Sequence, residues 1–158
     1  MASPPALDET DRAILHLLQV DARNTASNIA DEVGVAPNTV RNRINRLEEN
    51  DVIVGYHPQI NYEKTGFQLH IALTCTVPVS TRRQLAENAS KIEGVIGITE
   101  ILSGTENMVI EVVGTDGDDI TRIATALEGE GLKIQNERII ISDYVQPFNH
   151  FGASAIEG

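Results

Sequence analysis

The sequence has one cysteine, no tryptophan and only three lysines (Lys64, Lys91, Lys133) among its 158 residues. Each scarcity removes a class of explanation. A single thiol, Cys75, cannot close an internal disulfide, and its place among alternating apolar residues points to packing rather than catalysis, since no activating partner accompanies it. No apolar run approaches the roughly 20 residues that cross a bilayer. The opening MASPPALDETD has no basic region followed by an apolar core, so a soluble, cytoplasmic protein with no membrane partner is expected. His16, His57, His70 and His150 are scattered and stand at no ligand spacing from a second donor, so no metal is expected. A phosphate-binding glycine loop and a Ser/His/Asp arrangement are both missing, and the glycines near positions 94, 104, 114 and 131 fall at the ends of expected elements. No cofactor and no enzymatic activity are expected.

Positive charge is scarce as well: 12 basic residues face 23 acidic ones, for a formal net charge of −11. That excludes a protein that binds nucleic acid through general basicity, because phosphate attraction weakens with surrounding negative charge. An acidic, lysine-poor composition suits a protein working in concentrated salt, where screening shortens repulsion to roughly 3 Å at 1 M. The melting temperature is therefore expected to rise between dilute buffer and molar KCl. A flat response would remove the halophilic reading.

The positive charge that is present gathers in one place. From Ala36 to Leu47 there are three arginines and no acid, inside the stretch TASNIADEVGVAPNTVRNRINRLEEN. This stretch reads as two short helices joined by a glycine turn, the layout by which a helix-turn-helix places one helix in a DNA groove. Thr25 can cap the first helix, whose buried stripe is Ile29, Ala30 and Val33. Gly34 stops it, and Pro37 suits the first turn of the next. Val40, Ile44 and Leu47, at i, i+4 and i+7, fix the inward face of the second helix. Asn38, Arg41, Asn42 and Asn45 then face outward, with Thr39, Arg43 and Arg46 beside them. Asparagine pairs bidentately with adenine and arginine with guanine, while flanking arginines more often meet phosphate. Asn38, Arg41, Asn42 and Asn45 are therefore expected at base edges, and Arg43 and Arg46 mainly at phosphates. An amphipathic helix with a merely solvated polar face would show the same periodicity.

A preceding helix should start at Asp8, with Asp11 three residues on and Ile14, Leu15 and Leu18 buried. It completes a three-helix, winged-helix-like DNA-binding domain over 1–50. DVIVGYHPQINY alternates before Pro58 and reads as a short strand within a linker over 51–66. In 67–147 the pattern becomes strand, helix, strand, strand, helix, strand. Phe67, Leu69, Ile71, Leu73, Cys75 and Val77 share one buried face. A helix opens at Ser80 with Leu85, Ala89 and Ile92 inward and ends at Gly94. Val95 to Leu102 and Met108 to Val113 form a hairpin around Ser103 to Asn107. A second helix follows Asp118, with Ile120, Ile123, Ala124 and Leu127 inward, and KIQNERIIISDYV supplies the last strand. This βαββαβ order is the ferredoxin-like split motif, making the chain α+β. Its second sheet face lacks a cover, and Ile139, Ile140 and Ile141 make the last strand apolar on both faces, so a homodimer or higher assembly is expected. The tail, 148–158, is expected to be loose or pinned by Phe148 and Phe151.

LDETDRAILHLLQVDAR followed by IADEVGVAPNTVRNRINRLEENDVIVGY closely resembles the opening of the Lrp/AsnC family, transcription regulators of bacteria and archaea. Asp11-Arg12, Ile14-Leu15, Asp21, Arg23 and Arg43 to Glu48 carry the match in order and spacing. The βαββαβ half resembles that family's C-terminal regulatory domain, so the resemblance spans about 7–147. It implies a dimer, or an assembly of dimers, that binds double-stranded promoter DNA and takes an amino acid or related metabolite as effector. It also directs attention to Gly104, Thr105, Glu106 and Asn107, because the family's hairpin reads glycine, two residues, then aspartate. Asn107 stands at the acidic position and would offer an α-ammonium group only a neutral carbonyl, with Glu106 a substitute. Ala36 replaces the usual capping serine, which costs the helix roughly 1 kcal/mol. The alternative is a small-molecule-sensing adaptor that regulates an enzyme by protein contact. The acid excess favours it and the arginine-bearing helix opposes it.

Overall fold

A computed structural model describes residues 3, 5–102, 104–148 and 151. They form two compact units. One comprises the described residues of Met1–Pro58 and Tyr144–Gly158, the other Gln59–Asp143. The division falls inside the connection expected over 51–66, and Phe148 and Phe151 of the tail belong with the N-terminal unit.

The first unit has three helices: α1 (Glu9–Val20), α2 (Ala26–Val33) and α3 (Pro37–Glu49). Each begins where local chemistry dictates. The Asp8 carboxylate accepts from Asp11 N–H at 2.8 Å and Asp8 N–H donates back to Asp11 at 3.2 Å, a reciprocal cap that satisfies two otherwise orphan donors. Thr25 Oγ1 accepts from Asn28 N–H at 3.1 Å. Gly34 stops α2 at φ 79°, where a side chain would meet no atom within 4 Å. Glycine serves there for its backbone freedom alone. Ala36 offers α3 no side-chain cap and Pro37 opens its first turn. Ile14, Leu15, Leu17, Ile29, Ala30, Val40 and Leu47 make the core, while Leu18, Val33 and Ile44 pack partly buried around it.

The strand expected at 51–56 is not formed. Val52 and Ile53 N–H instead both donate to the Leu47 carbonyl, at 2.9 and 3.1 Å, and Tyr56 Oη donates to Glu48 at 2.8 Å. Alternation fits a strand, but a strand needs a ladder partner. No strand pairs with this segment among the described residues, and Val54 is 88% exposed.

The second unit carries β1 (Leu69–Thr76), α4 (Arg82–Ala89), β2 (Val95–Glu100), β3 (Met108–Gly114), α5 (Gly117–Gly129) and β4 (Lys133–Ile139). The sheet order is β2-β3-β1-β4 with every pair antiparallel. Leu73 opposes Ile110 and Cys75 opposes Met108, so these side chains share one face, buried against Ala89, Ile123 and Leu127 of the helices. Burial pushes the Cys75 thiol up to about 11, as befits a packed rather than reactive group. Gly94, at φ 100°, ends the connection after α4; a Cβ there would lie 2.4 Å from Ile123 Cδ1 and 3.0 Å from the Val113 carbonyl.

Several boundaries differ from expectation. Phe67 precedes β1, its N–H bonded to the Tyr62 carbonyl after a single 3-10 turn. Helix α4 starts at Arg82 rather than Ser80. Helix α5 starts earlier than expected because Asp116, not Asp118, accepts from the Asp119 N–H at 2.9 Å. Strand β4 ends at Ile139, leaving Ile139 and Ile141 exposed. The uncovered sheet face is also less apolar than expected. By register it presents His70, Ala72 and Thr74 on β1, Val109, Glu111 and Val113 on β3, and Asn136 and Arg138 on β4. His70 Nε2 lies 3.0 Å from Glu111 Oε2.

Candidate nucleic-acid interface

Helix α3 presents two polar faces with different fates. Asn38, Arg41, Asn42 and Asn45 are exposed and Thr39 is half-buried, because Val40 and Leu47 turn the opposite side into the core. Arg41 Nη1 donates to Asn38 Oδ1 at 3.3 Å, so these two side chains are joined along the helix while remaining open to a partner. Asparagine amides and a guanidinium in this row can donate to and accept from base edges.

Arg43 and Arg46 meet protein carboxylates. Arg43 Nη1 pairs with Asp8 and, at 3.1 Å, with Asp11. Arg46 Nη2 reaches both Asp11 oxygens, at 3.0 and 2.8 Å. The Asp11 side chain is 0% exposed, that of Arg43 27% and that of Arg46 52%. A buried carboxylate is tolerated only when paired and hydrogen-bonded, and α3 supplies both cations. The expectation of Arg43 and Arg46 as mainly phosphate contacts thus gains a competing partner from α1. Asp8 and Asp11 were legible in the sequence as a cap, but not as the acids that hold these arginines.

The Asp11 backbone N–H, and after it the Arg43 guanidinium, hold the Asp8 carboxyl below its usual value of 3.8. A carboxylate whose folded pKa is depressed stabilises the fold fully above the unfolded value, and that contribution drains as pH falls through the folded one. Helicity measured by circular dichroism should therefore be lost on acidification below about pH 3.8, with a shallower acid dependence in Asp8→Asn, which keeps a cap but cannot titrate. An unchanged acid profile in that variant would show that the pair does not contribute.

The hairpin residues behave differently from one another. Gly104 turns at φ 103°, and the exposed Thr105 accepts the Thr76 hydroxyl on its carbonyl at 2.7 Å. Glu106 Oε1 accepts from Asn136 Nδ2 at 2.6 Å. Ser103 lies outside the described residues. Asn107 is 6% exposed, and its carboxamide accepts from Val77 N–H at 2.9 Å and donates to the Val77 carbonyl at 2.8 Å. Its carbonyl is therefore engaged within the fold, and an α-ammonium group would share it with the Val77 N–H. Among the described residues, no group of three or more His, Cys, Asp or Glu side chains could hold a metal ion, and no helix is long and apolar enough to cross a membrane.

Residues 7–48 match the AsnC-type helix-turn-helix domain. The chain is 34% identical over 119 residues to the HTH-type transcriptional regulator LrpA of Pyrococcus horikoshii, covering 74% of this chain and 82% of that protein. It is 31% identical to the HTH-type transcriptional regulator AldR of Mycobacterium tuberculosis, covering 74% and 66%. The solved AldR structure matches with a TM-score of 0.74 at 26% identity, covering 89% of this chain and 97% of that one. A feast or famine regulatory protein from M. tuberculosis, complexed with L-methionine, matches with a TM-score of 0.79 at 25% identity, covering 92% and 99%. With the capped three-helix unit and the βαββαβ sheet unit both in place, the chain belongs to the Lrp/AsnC family of helix-turn-helix transcriptional regulators.

Proposed function

We propose that this protein, a cytoplasmic regulator without catalytic activity, reads promoter DNA with the outer face of α3. The single observation that carries the reading is the exposed row Asn38, Arg41, Asn42 and Asn45 on a helix whose other side is fixed in the core. These four meet base edges in the major groove, Thr39 and Arg46 flank them at the backbone, and Arg43 serves chiefly to brace α3 against α1. The protein acts as a homodimer or an assembly of dimers, so two such helices are related by a two-fold axis. Half-sites then lie about 10 to 10.5 base pairs apart, or a multiple of that, in a near-palindrome. The small side chains of the uncovered sheet face, among them Ala72 and Thr74, suit close approach of a second copy.

The effector is an amino acid or related metabolite, a reading supported by the L-methionine complex of the M. tuberculosis relative. Glu106 is the hairpin acid that can pair with an α-ammonium group, with Gly104 and Thr105 supplying backbone contacts. Binding regulates DNA recognition only if it favours one assembly state over another. A gel shift at high salt tests the central claim: a duplex carrying the protein's own promoter region should be retarded at concentrations that leave random duplex free. Equal retardation of both would refute sequence-specific regulation through α3. Equilibrium dialysis against the twenty amino acids identifies the effector, with affinity reduced in Glu106→Gln.

A further inference from the structure

Asp11 is a buried acid that the proposed DNA contacts do not use. It sits on α1, yet its carboxylate binds Arg43 and Arg46 of α3, residues 32 and 35 positions away. The two arginines are unequal. Arg43 is shared between Asp8 and Asp11 and is largely covered, whereas Arg46 spends one nitrogen, Nη2, on both Asp11 oxygens and keeps half of its side chain in solvent. A guanidinium has five N–H donors in a rigid plane. Fixing one nitrogen on a buried carboxylate therefore fixes the direction of the others, and Nε and Nη1 of Arg46 have no partner among the described residues.

We infer that Asp11 is a positioning residue for DNA binding: its carboxylate holds the Arg46 guanidinium in one orientation, with Nε and Nη1 left to take a backbone phosphate. The inference rests on the reading of α3 as the DNA interface. Two acids and two arginines cancel in this cluster, so it adds orientation rather than net charge. On a chain of net charge −11, long-range attraction contributes little, and a side chain already ordered before contact loses less freedom on binding.

General electrostatics and positioning predict opposite signs for one substitution. Asp11→Asn removes a negative charge beside the DNA surface, which by attraction alone tightens binding. If the carboxylate orients Arg46, the same change weakens binding, by roughly 2- to 12-fold for one newly mobile side chain. Affinity is measured by fluorescence anisotropy on a random-sequence duplex of about 30 base pairs over a salt series, with circular dichroism verifying the folded state. Arg46→Ala should weaken binding and lower the salt slope by about 0.9, one phosphate contact. Asp11→Asn should weaken binding, and should add no further loss in the Arg46→Ala background.

Unchanged or tighter binding by Asp11→Asn overturns the inference, as does a loss that persists undiminished in the double variant, which marks a general disturbance of α3. Where Asp11→Asn does not fold, Arg46→Lys decides the matter. It keeps the charge but lacks the planar fork, and should lose nearly as much as Arg46→Ala; parental binding by Arg46→Lys overturns the inference. If Arg46→Ala itself changes neither affinity nor slope, the reading of Arg46 at the DNA interface fails as well, which separates the two failures.

Discussion

Replacing Asn107 by alanine should destabilise the Gln59–Asp143 unit by about 2–4 kcal/mol. The carboxamide makes two hydrogen bonds to Val77, one to its N–H and one to its carbonyl, and Val77 is itself buried. Removing one partner of a buried hydrogen bond costs about 1–3 kcal/mol for each group left unpaired, so the two Val77 groups, in the lower to middle part of that range, account for about 2–4 kcal/mol. The lower end of that sum applies if water enters the space the side chain vacates. Denaturant unfolding followed by circular dichroism, monitored through the midpoint at constant slope, gives the difference. A loss below about 0.5 kcal/mol would mean that the bridge to Val77 does not hold the start of β3. The same variant separates a structural role from an effector role. If Asn107 touched the effector, affinity for the ligand would fall while the unfolding midpoint stayed in place.

The double replacement Asn42→Ala and Asn45→Ala should sharply reduce sequence preference while leaving the protein folded. Both side chains are exposed on the outer face of α3 and support no contact in the core. Each bidentate asparagine–adenine pair discriminates by about 1–3 kcal/mol, so losing two reduces preference by roughly 30-fold or more. Selection from a randomised duplex pool measures this with no operator chosen in advance. The parent should enrich an inverted repeat, and the variant should enrich it far less while retaining salt-dependent binding to bulk DNA. Enrichment of the same repeat by both proteins would place base recognition elsewhere than on these two residues.

Local chemistry made most of the fold legible. Asp8 with Asp11, Thr25, Gly34 and Pro37 determine helix ends through neighbours three or four residues away, and the spacing of Val40 and Leu47 fixes an inward face whatever the remainder of the chain does. The alternation of Leu69, Ile71, Leu73, Cys75 and Val77 likewise identified the covered face of the sheet. What spacing and propensity could not supply was non-local. The acids that hold Arg43 and Arg46 lie more than 30 residues away. Asn107 reads as a turn residue because its partner, Val77, is 30 positions distant. Residues 51–56 alternate as a strand should, yet no alternation supplies the second strand that a ladder requires. The complementary set His70, Ala72, Thr74 and Thr76 was visible in the same stretch, and its small and polar character argued against the broad apolar surface inferred from the missing cover alone.

The helical unit is assembled from both ends of the chain. Phe148 N–H donates to Gln19 Oε1 at 3.0 Å across 129 positions, its ring meets that of Phe151 edge-on at 4.9 Å, and Phe151 packs against the cluster built around Ile14 and Ile29. On a ribosome adding about 5–20 residues per second, roughly 6 to 26 seconds separate the synthesis of Gln19 from that of Phe148. Throughout that interval the nascent helices exist without their final aromatic lid, while the entire intervening sheet is synthesised. Vectorial production therefore completes the residues of the inserted module first, and those of the module that was begun earliest last.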